Sequence, residues 1–407
     1  HGQRVAFPFG HGFSYTTFEF GWGDAASLPA AVASDATWFA SGGGASGSAA
    51  PTAEPAVRRM GSNEVKQLLR RTSSFGNPAI GRTSLSTPDL FTLPDGVEMS
   101  ALRQWDFGID LFTTAERIQI AAVLLRDAGV LEQCNVPTEP LANLLKNLSE
   151  KYHPHPYHNF THSVHVLHGC YMLITQGMVD AKCAQLNNLE RLSLMLAALG
   201  HDVDHPGVNN AFMISTTSRL ALLYNDVSVL ENHHAATVCL LLSEKENDVL
   251  GHMAPEERRA CRKIMIKSIL ATDMAKHADM VKDLSECAAQ SRAVEPVDVT
   301  QHFLHLADLG NCVVAWEHSK RWAHRVCEET TAQLRRETAL GLPVPPQAKM
   351  DAYTDPEMAA RQLVFLDGWV RPLFRAAALI FPGIKCRLDQ IETNRRICEE
   401  EMAKLPK

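Results

Sequence analysis

The feature that most constrains the fold is an apolar helical run that ends at a histidine–aspartate pair. Leucines recur with helical spacing from Leu189 to Leu199, which predicts a helix with one buried face. His201 and Asp202 follow directly, and Pro206 forces the helix to stop just beyond them. Imidazole and carboxylate both bind metals, and their mixture is typical of a two-metal hydrolytic centre rather than of a structural zinc site.

Apolar residues with helical spacing dominate the chain from about residue 85 to about residue 400. No alternation of strands and helices, glycine-rich phosphate loop or internal repeat is visible in the sequence. Residues 85–400 are therefore predicted to form one all-α domain. Residues 1–84, rich in glycine, alanine, serine and proline around positions 41–55, show little periodicity and are predicted to be a disordered extension.

The charge of the chain limits its partners. The 407 residues carry a formal net charge of −7. Because neutralising a nucleic-acid backbone requires a basic protein face, this charge argues against a general nucleic-acid binder. A small anionic substrate held by metal ions needs no such face.

The cysteines and the apolar runs predict a soluble, cytoplasmic protein. The ten cysteines show no C-x-x-C pair and no regular framework, as is usual in a reducing compartment. No window of about eighteen uninterrupted apolar residues predicts a membrane span, and the N-terminus lacks the charged-then-apolar layout of a signal peptide.

Further candidate ligands lie on both sides of the His-Asp pair. His158 and His162 are spaced i, i+4, so that one ring can bind metal while the other, at the exposed start of the helix, meets substrate. Asp308 follows an apolar run, where a buried carboxylate needs a cation, although by itself it could equally cap a helix. Glu231 and Asp273 interrupt helical segments and are predicted to orient metal-bound waters.

These pieces together resemble a known family. The chain from about Trp105 to Pro382 resembles the catalytic domain of class I cyclic nucleotide phosphodiesterases. The matching pieces are Tyr157-His158-Asn159 with His162, His201-Asp202-Val203-Asp204-His205-Pro206-Gly207, Tyr224-Asn225-Asp226, Leu230-Glu231-Asn232-His233-His234, Ala271-Thr272-Asp273-Met274 with Lys276-His277, Ala307-Asp308 with Asn311, and Gln362 with Phe365.

The resemblance implies a compact, HD-type fold of about sixteen helices and a two-metal site. The residues that match the ligands of the tighter metal, usually Zn²⁺, are His162, His201, Asp202 and Asp308. Asp202 would also bridge to a second metal, usually Mg²⁺ or Mn²⁺. The residues that would support this centre from behind are His205, Glu231 and Asp273.

The resemblance also implies the reaction. A metal-bridging hydroxide would attack a 3′,5′-cyclic purine nucleotide, His158 would protonate the leaving 3′ oxygen, and a nucleoside 5′-monophosphate would result, which ends a second-messenger signal. The residues that would contact the substrate are Tyr157, Asn311, Gln362 and Phe365, with Gln362 hydrogen-bonding the purine and Phe365 stacked on its face.

The choice between cyclic AMP and cyclic GMP stays open in the sequence. The Gln362 amide can pair with the 6-amino edge of adenine or, when flipped, with the 6-oxo edge of guanine. Asn311 can itself donate and accept, so it does not settle the orientation. Cys312 departs from the family, in which proline is frequent at this position, and bears on base selectivity.

Two other classes share part of the pattern. A broader HD-type phosphohydrolase would have the same His and Asp ligands without needing Gln362, Phe365 or Asn311. A non-enzymatic nucleotide sensor would keep the base contacts and lose a ligand or the acid, and none is lost here. The sequence leaves the oligomeric state open, including a homodimer.

Two features of the extension stand apart from this scheme. Ser73 follows Arg70 and Arg71, as basophilic kinases prefer, although an unmodified linker is the simpler interpretation. A dozen residues from Pro8 to Phe20 resemble a C-terminal segment of family 3 β-glucosidases. That segment carries no catalytic group, so no sugar-cleaving activity is expected.

Overall fold

The computed structural model describes residues 89–183, 185–345 and 348–405. Within these residues the chain forms helices and no strands, which confirms the predicted all-α class. The predictions on residues 1–84, including the kinase site at Ser73 and the β-glucosidase resemblance, lie outside the described residues. The helices are α1 (Met99–Leu102), α2 (Thr114–Asp127), α3 (Val130–Gln133), α4 (Thr138–Lys151), α5 (Phe160–Met172), α6 (Asn188–Gly200), α7 (Asn210–Ser215), α8 (Arg219–Leu223), α9 (Val229–Ser243), α10 (Pro255–Leu270), α11 (His277–Gln290), α12 (Pro296–Asp308), α13 (Trp316–Ala339), α14 (Asp355–Phe365), α15 (Arg371–Ile380) and α16 (Lys385–Met402).

Helix α6 shows how local sequence sets the helix bounds. The Asn187 side chain accepts a hydrogen bond from the Glu190 N–H at 3.0 Å, and Glu190 accepts one from the Asn187 N–H at 2.8 Å. This reciprocal capping box begins the helix. All residues from Leu192 to Gly200 are buried, and His201 forms the C-terminal cap. The helix predicted for this stretch, with the His-Asp pair at its end, is therefore confirmed.

Helix α5 lies at the centre of the described part of the chain. Every residue of α5 except Gly169 is buried, and the helix packs against α2, α6 and α12. A Cβ atom added to Gly169 would lie 3.0 Å from the Cβ of Ala307 on α12. The missing side chain thus allows α5 and α12 to approach closely, next to Asp308.

A second close approach lies beside His201. A Cβ atom on Gly200 would stand 2.6 Å from Val238 Cγ2 of α9, which is closer than real Cβ contacts. Glycine at this position lets α6 pack directly on α9. The two close approaches, at Gly200 and Gly169, lie at the C-terminal end of α6 and against the C-terminal end of α12.

The C-terminal helices form the other wall of the site. α13 is the longest helix, and it carries both Trp322 and Glu329 on its buried face. α14 begins at Asp355, as its Asp-Pro-Glu sequence predicts, with Thr354 and Glu357 forming a capping box. α14 packs on α16, and α15 packs on α11.

None of the described helices combines the length and the apolar character that crossing a bilayer requires.

Candidate metal centre and adjoining pocket

Two histidines and two aspartates converge at one point where α5, α6 and α12 meet. His162 Nε2 lies 3.0 Å from Asp308 Oδ1 and 3.4 Å from Asp202 Oδ2. His201 Nε2 lies 3.2 Å from Asp202 Oδ2, 3.4 Å from Asp308 Oδ1 and 3.2 Å from His162 Nε2. All four side chains are buried. The structure thus brings together the four residues predicted as metal ligands.

The spacing of these atoms fits a divalent metal. Ligand atoms that surround a zinc-like ion at roughly 2.0 to 2.2 Å stand roughly 3 to 3.5 Å from one another in tetrahedral or octahedral geometry. The five measured separations span 3.0 to 3.4 Å. Two buried carboxylates facing two imidazoles also need positive charge to be stable in the core. The donor set therefore suits a bound cation.

Each ligand is aimed by its helix. His201 caps α6, and its Nδ1 hydrogen-bonds the carbonyl of Ala198 at 2.9 Å, so that in the neutral ring Nε2 keeps its lone pair for the site. Asp308 is the last residue of α12. Asn159 caps α5 by accepting from the His162 N–H at 3.3 Å, which places His162 in the first turn.

The electrostatics of the cluster are dominated by burial and by opposite charges. Burial alone would raise the pKa of Asp202, but the facing imidazoles of His201 and His162 hold it well below the usual range. Burial disfavours the charged form of His201. The attraction of the Asp202 and Asp308 carboxylates outweighs this effect and raises the pKa of His201. The Asp202 carboxylate is therefore kept ionised, as a metal ligand must be.

Two further buried carboxylates lie behind Asp202. Glu231 accepts hydrogen bonds from Asn210 Nδ2 at 2.9 and 3.2 Å, and Ser228 Oγ donates to Asp273 Oδ2 at 2.6 Å. Burial raises the pKa of Glu231, and the negative charge of Asp273 adds to the rise. The predicted role of both residues in ordering metal-bound waters stays a prediction.

His158 lies beside the cluster and is held by an acid. Its Nδ1 contacts Glu329 Oε1 in a short hydrogen bond, and its ring stacks on His205 with centroids 3.9 Å apart. Glu329 Oε2 accepts the backbone N–H groups of Tyr157 at 2.9 Å and of His158 at 3.0 Å. Burial disfavours the charged form of both side chains. Their mutual attraction and hydrogen bond outweigh burial, so that the pKa of His158 is raised and that of Glu329 is lowered.

The structure corrects one detail of the predicted His158 environment. The sequence predicts that His158 stands at the exposed start of a helix. Helix α5 begins only at Phe160, and His158 is 3 % exposed. Glu329 and His205 cover the ring, so it is a buried group that reaches the site from the loop before α5.

A pocket opens next to His158. The predicted substrate-contacting residues Tyr157, Asn311, Gln362 and Phe365 all line it. His158 and Cys312 line it as well. Gln362 and Phe365 lie one turn apart on α14 and are both buried, as their i, i+3 spacing predicts. Tyr157 packs edge-on against Trp322 with ring centroids 5.9 Å apart.

Two residues at the site are not singled out by the sequence patterns. Glu329 is one, and the available signal is its position seven residues after Trp322, on the same face of α13. The other is His234, whose Nε2 lies 3.8 Å from Asp202 Oδ1 while Nδ1 bonds the Val203 carbonyl at 2.7 Å. His234 stands inside a recognised motif, but its role depends on the fold.

Two further histidines of α5, His165 and His168, behave as packed side chains. His168 Nε2 hydrogen-bonds the Leu102 carbonyl at 2.8 Å, and His165 packs on Trp322 with ring centroids 5.1 Å apart. Burial lowers the pKa of His165 to about 3 and that of His168 to about 4. Both are therefore neutral near pH 7 and stand outside the ligand set.

Comparisons with known proteins identify the family of the chain. A model of the 3′,5′-cyclic nucleotide phosphodiesterase family matches residues 157–391. The chain is 31% identical over 326 residues to a Caenorhabditis elegans protein named "Probable 3′,5′-cyclic-AMP phosphodiesterase pde-4", covering 76% of this chain and 48% of that protein. It is 32% identical over 348 residues to 3′,5′-cyclic-AMP phosphodiesterase 4C of Mus musculus, covering 80% and 49%.

A solved structure shows the same likeness. The phosphodiesterase domain of the RhoPDE fusion protein from the choanoflagellate Salpingoeca rosetta is 31% identical, with a TM-score of 0.69 over 75% of this chain and 96% of that chain. The chain therefore belongs to the 3′,5′-cyclic nucleotide phosphodiesterase family. It spans about half the length of the curated relatives reported above.

Proposed function

We propose that this chain hydrolyses a 3′,5′-cyclic purine nucleotide, cyclic AMP or cyclic GMP, to the nucleoside 5′-monophosphate. The observation that carries the proposal is that His162, His201, Asp202 and Asp308 each place a ligand atom within 4.8 Å of the others, beside a pocket that His158 lines. Family membership supports the reaction class, and the cyclic-AMP phosphodiesterase names of the two curated relatives support adenine as the base.

The donor set supports Zn²⁺ together with Mg²⁺ or Mn²⁺ as the proposed metals. Two imidazoles and two carboxylates suit Zn²⁺, and Asp202 would share its second oxygen with Mg²⁺ or Mn²⁺, which prefer oxygen ligands. Bound here, the two cations would supply the hydrolytic nucleophile and neutralise the phosphodiester charge. Glu231 and Asp273 would order the waters around the second ion.

His158 would act as the general acid. Glu329 engages Nδ1, and the proton given to the leaving 3′ oxygen would come from Nε2. The ion pair keeps the ring protonated at higher pH than a free histidine, which suits a group that must give up a proton near pH 7. Stacking on His205 holds the ring in one plane.

Gln362 and Phe365 would bind the base. A purine stacked on the Phe365 ring would present its Watson–Crick edge to the Gln362 amide, because both side chains share one face of α14. Tyr157 and Asn311 would complete the wall of this subsite. An HD-type phosphohydrolase with another substrate would not need Gln362 and Phe365 as a purine-binding pair.

The experiment is a hydrolysis assay on purified protein with both nucleotides. Metal removal by a chelator should abolish turnover of cyclic AMP and cyclic GMP, and adding back Zn²⁺ with Mg²⁺ should restore it. Protein that carries both metals and leaves both nucleotides intact would refute the proposed function. Tight binding without hydrolysis would instead favour a nucleotide sensor.

The remaining expectations are part of the same proposal. Residues 85–400 would form the catalytic unit in the cytoplasm, where the ten cysteines, none of them in a disulfide, would stay reduced. A homodimer would be detected by the concentration dependence of the molar mass. Phosphorylation at Ser73 would be detected by mass spectrometry.

A further inference from the structure

The two histidines of the metal centre differ in how their rings are oriented. His201 Nδ1 hydrogen-bonds the Ala198 carbonyl at 2.9 Å, whereas His162 Nδ1 is buried and makes no hydrogen bond to the residues that the structure describes. A histidine that binds metal through one nitrogen ordinarily donates a hydrogen bond from the other, and this second bond sets the direction of the ring. The orientation of the His162 ring therefore depends on the side chains packed against it.

Two aromatic rings pack against His162. The Tyr157 ring lies with its centroid 4.6 Å from that of His162 at an angle of 36°, and the Trp322 ring lies at 6.1 Å and 70°. The rings of Tyr157 and Trp322 also contact each other edge-on, with centroids 5.9 Å apart. All three side chains are buried. Because buried side chains are closely packed, the two aromatic rings restrict rotation of the imidazole.

Trp322 covers more of α5 than His162 alone. Its ring also packs on His165, with centroids 5.1 Å apart. His162 and His165 are spaced i, i+3 and lie on the same face of α5. The other aromatic ring, Tyr157, is fixed at its far end, where the hydroxyl accepts a hydrogen bond from Asn311 Nδ2 at 2.6 Å. Trp322 is therefore the side chain of α13 that joins this helix to the metal centre.

Arg325 holds Trp322 from within α13. The Arg325 guanidinium carbon lies 4.8 Å from the centroid of the Trp322 ring, which is the range of a cation–π interaction. Arg325 Nη2 lies 3.8 Å from Asp110 Oδ2, and that oxygen accepts a hydrogen bond from Arg321 Nε at 2.6 Å. The Asp110 side chain is buried. A fixed carboxylate thus places the guanidinium against the indole.

We propose that Trp322 is a positioning residue for the metal centre, which orients His162 in place of a hydrogen bond to Nδ1, and that Arg325 acts through Trp322. This inference rests on the metal centre of the proposed function and adds a role for two residues outside the ligand set. Without the indole the imidazole can turn, so that Nε2 no longer faces Asp308 in a fixed geometry. His201 keeps its own hydrogen bond, so metal binding is weakened rather than abolished.

The test measures the affinity for Zn²⁺ itself, in the absence of nucleotide. The purified full chain is loaded with Zn²⁺ and titrated with a chelator, and the Zn²⁺ that it retains gives an apparent Kd. Trp322→Leu should raise this Kd by roughly 10- to 100-fold, the usual effect of losing the partner that orients a metal ligand. Trp322→Phe keeps an aromatic ring at the position and should recover most of the loss.

The role of Arg325 is tested by a double-mutant cycle. Arg325→Met keeps the apolar stem and removes the charge, so the Kd should rise by roughly two- to fivefold, the contribution of a partly exposed cation–π pair. In the Trp322→Leu background the same change should have no further effect. Equal effects in both backgrounds would overturn the action of Arg325 through Trp322. Arg396→Met, exposed on α16, is the control and should leave the Kd unchanged.

A second control separates orientation from general destabilisation. Phe374 is a buried aromatic residue on α15, and Phe374→Leu should lower the thermal stability without changing the Kd for Zn²⁺. A Trp322→Leu protein that folds and keeps the wild-type Kd would overturn the positioning role. The same holds if Phe374→Leu raises the Kd as much as Trp322→Leu does.

Failure of the proposed function gives a different result. A wild-type protein that retains Zn²⁺ and hydrolyses neither nucleotide removes the proposed function, while the effect of Trp322 on the Kd still supports the positioning role. A wild-type protein that retains no Zn²⁺ removes both. If Trp322→Leu does not fold, as judged by its thermal unfolding, Arg325→Met decides alone. A raised Kd in Arg325→Met supports the role, and a wild-type Kd overturns it.

Discussion

Replacing Glu329 by glutamine separates the acid role of His158 from metal binding. The substitution keeps the volume and one carbonyl oxygen, so the backbone N–H groups of Tyr157 and His158 can keep their acceptor. What is lost is the negative charge at His158 Nδ1. None of the four predicted metal ligands is touched, and metal content should therefore stay at the wild-type level.

The expected loss is in kcat. A positioned general acid contributes roughly 10²- to 10⁴-fold, and an outer partner that orients it accounts for part of this, so kcat should fall by roughly 10- to 100-fold, or about 1.4 to 2.7 kcal/mol. KM should change little, because Glu329 contacts the acid and not the proposed base subsite. Breaking a buried ion pair costs up to about 3 to 5 kcal/mol of stability, so thermal unfolding must be followed in parallel.

The pH profile gives a readout that a structural defect would not move. The charge on Glu329 raises the pKa of His158, and the protonated ring is the active form, so kcat should fall as the pH rises through that raised pKa. Removing the charge lowers the pKa, and the falling limb should move to lower pH. Asp202 and Asp308 also raise the pKa of His158. Wild type and variant must therefore be compared at equal metal content, so that this effect is the same in both.

The neighbouring acid provides the control. Glu328 is exposed on the outer face of α13, so Glu328→Gln should leave kcat, KM and the pH profile unchanged. The assay is steady-state hydrolysis of cyclic AMP between about pH 5.5 and about pH 9. This range begins roughly one unit below the ordinary pKa of histidine, about 6.5, and extends well above it. A Glu329→Gln enzyme with wild-type kcat and an unshifted falling limb would refute the reasoning.

Three further predictions address the metal centre and the packing around it. Asp308→Asn should lose bound metal and activity together, measured by metal analysis of the purified protein, whereas His158→Ala should keep its metal and lose turnover by roughly 10²- to 10⁴-fold; a metal-free His158→Ala protein would contradict this division. Gly169→Val should destabilise the protein by about 1 to 3 kcal/mol and weaken metal binding, since the added atoms meet Ala307 beside Asp308. Gly368→Ala is the control, because a Cβ at this position meets nothing within 4 Å. Equal melting temperatures of the two variants would count against the close approach at Gly169. Asn394→Asp should raise KM for cyclic AMP by roughly 3- to 30-fold, with a smaller effect on kcat. The reason is that a carboxylate would repel the Cys312 and Val314 carbonyls, to which the Asn394 amide donates hydrogen bonds. An unchanged KM would show that α16 does not position the base subsite.

The sequence by itself determines the helices and the identities of the four predicted ligands. The spacing of the leucines from Leu189 to Leu199, with the Asn187 cap before them, places His201 at a helix end. Asp308 likewise ends an apolar helix. These features depend on interactions between residues a few positions apart, which is why local patterns predict them. The ligand types are equally local, because imidazole and carboxylate chemistry belongs to the side chain itself.

The tertiary structure alone decides which distant groups complete the site. Glu328 and Glu329 are neighbours of the same residue type, and the packing of α13 turns Glu329 towards His158, 171 positions away. The Asn311 amide is placed against the Tyr157 hydroxyl, 154 positions away, by the packing of the helices. Burial of His158 follows from the same contacts. Such pairings depend on how the helices pack, and packing is set by the summed contacts of the whole core rather than by any local pattern.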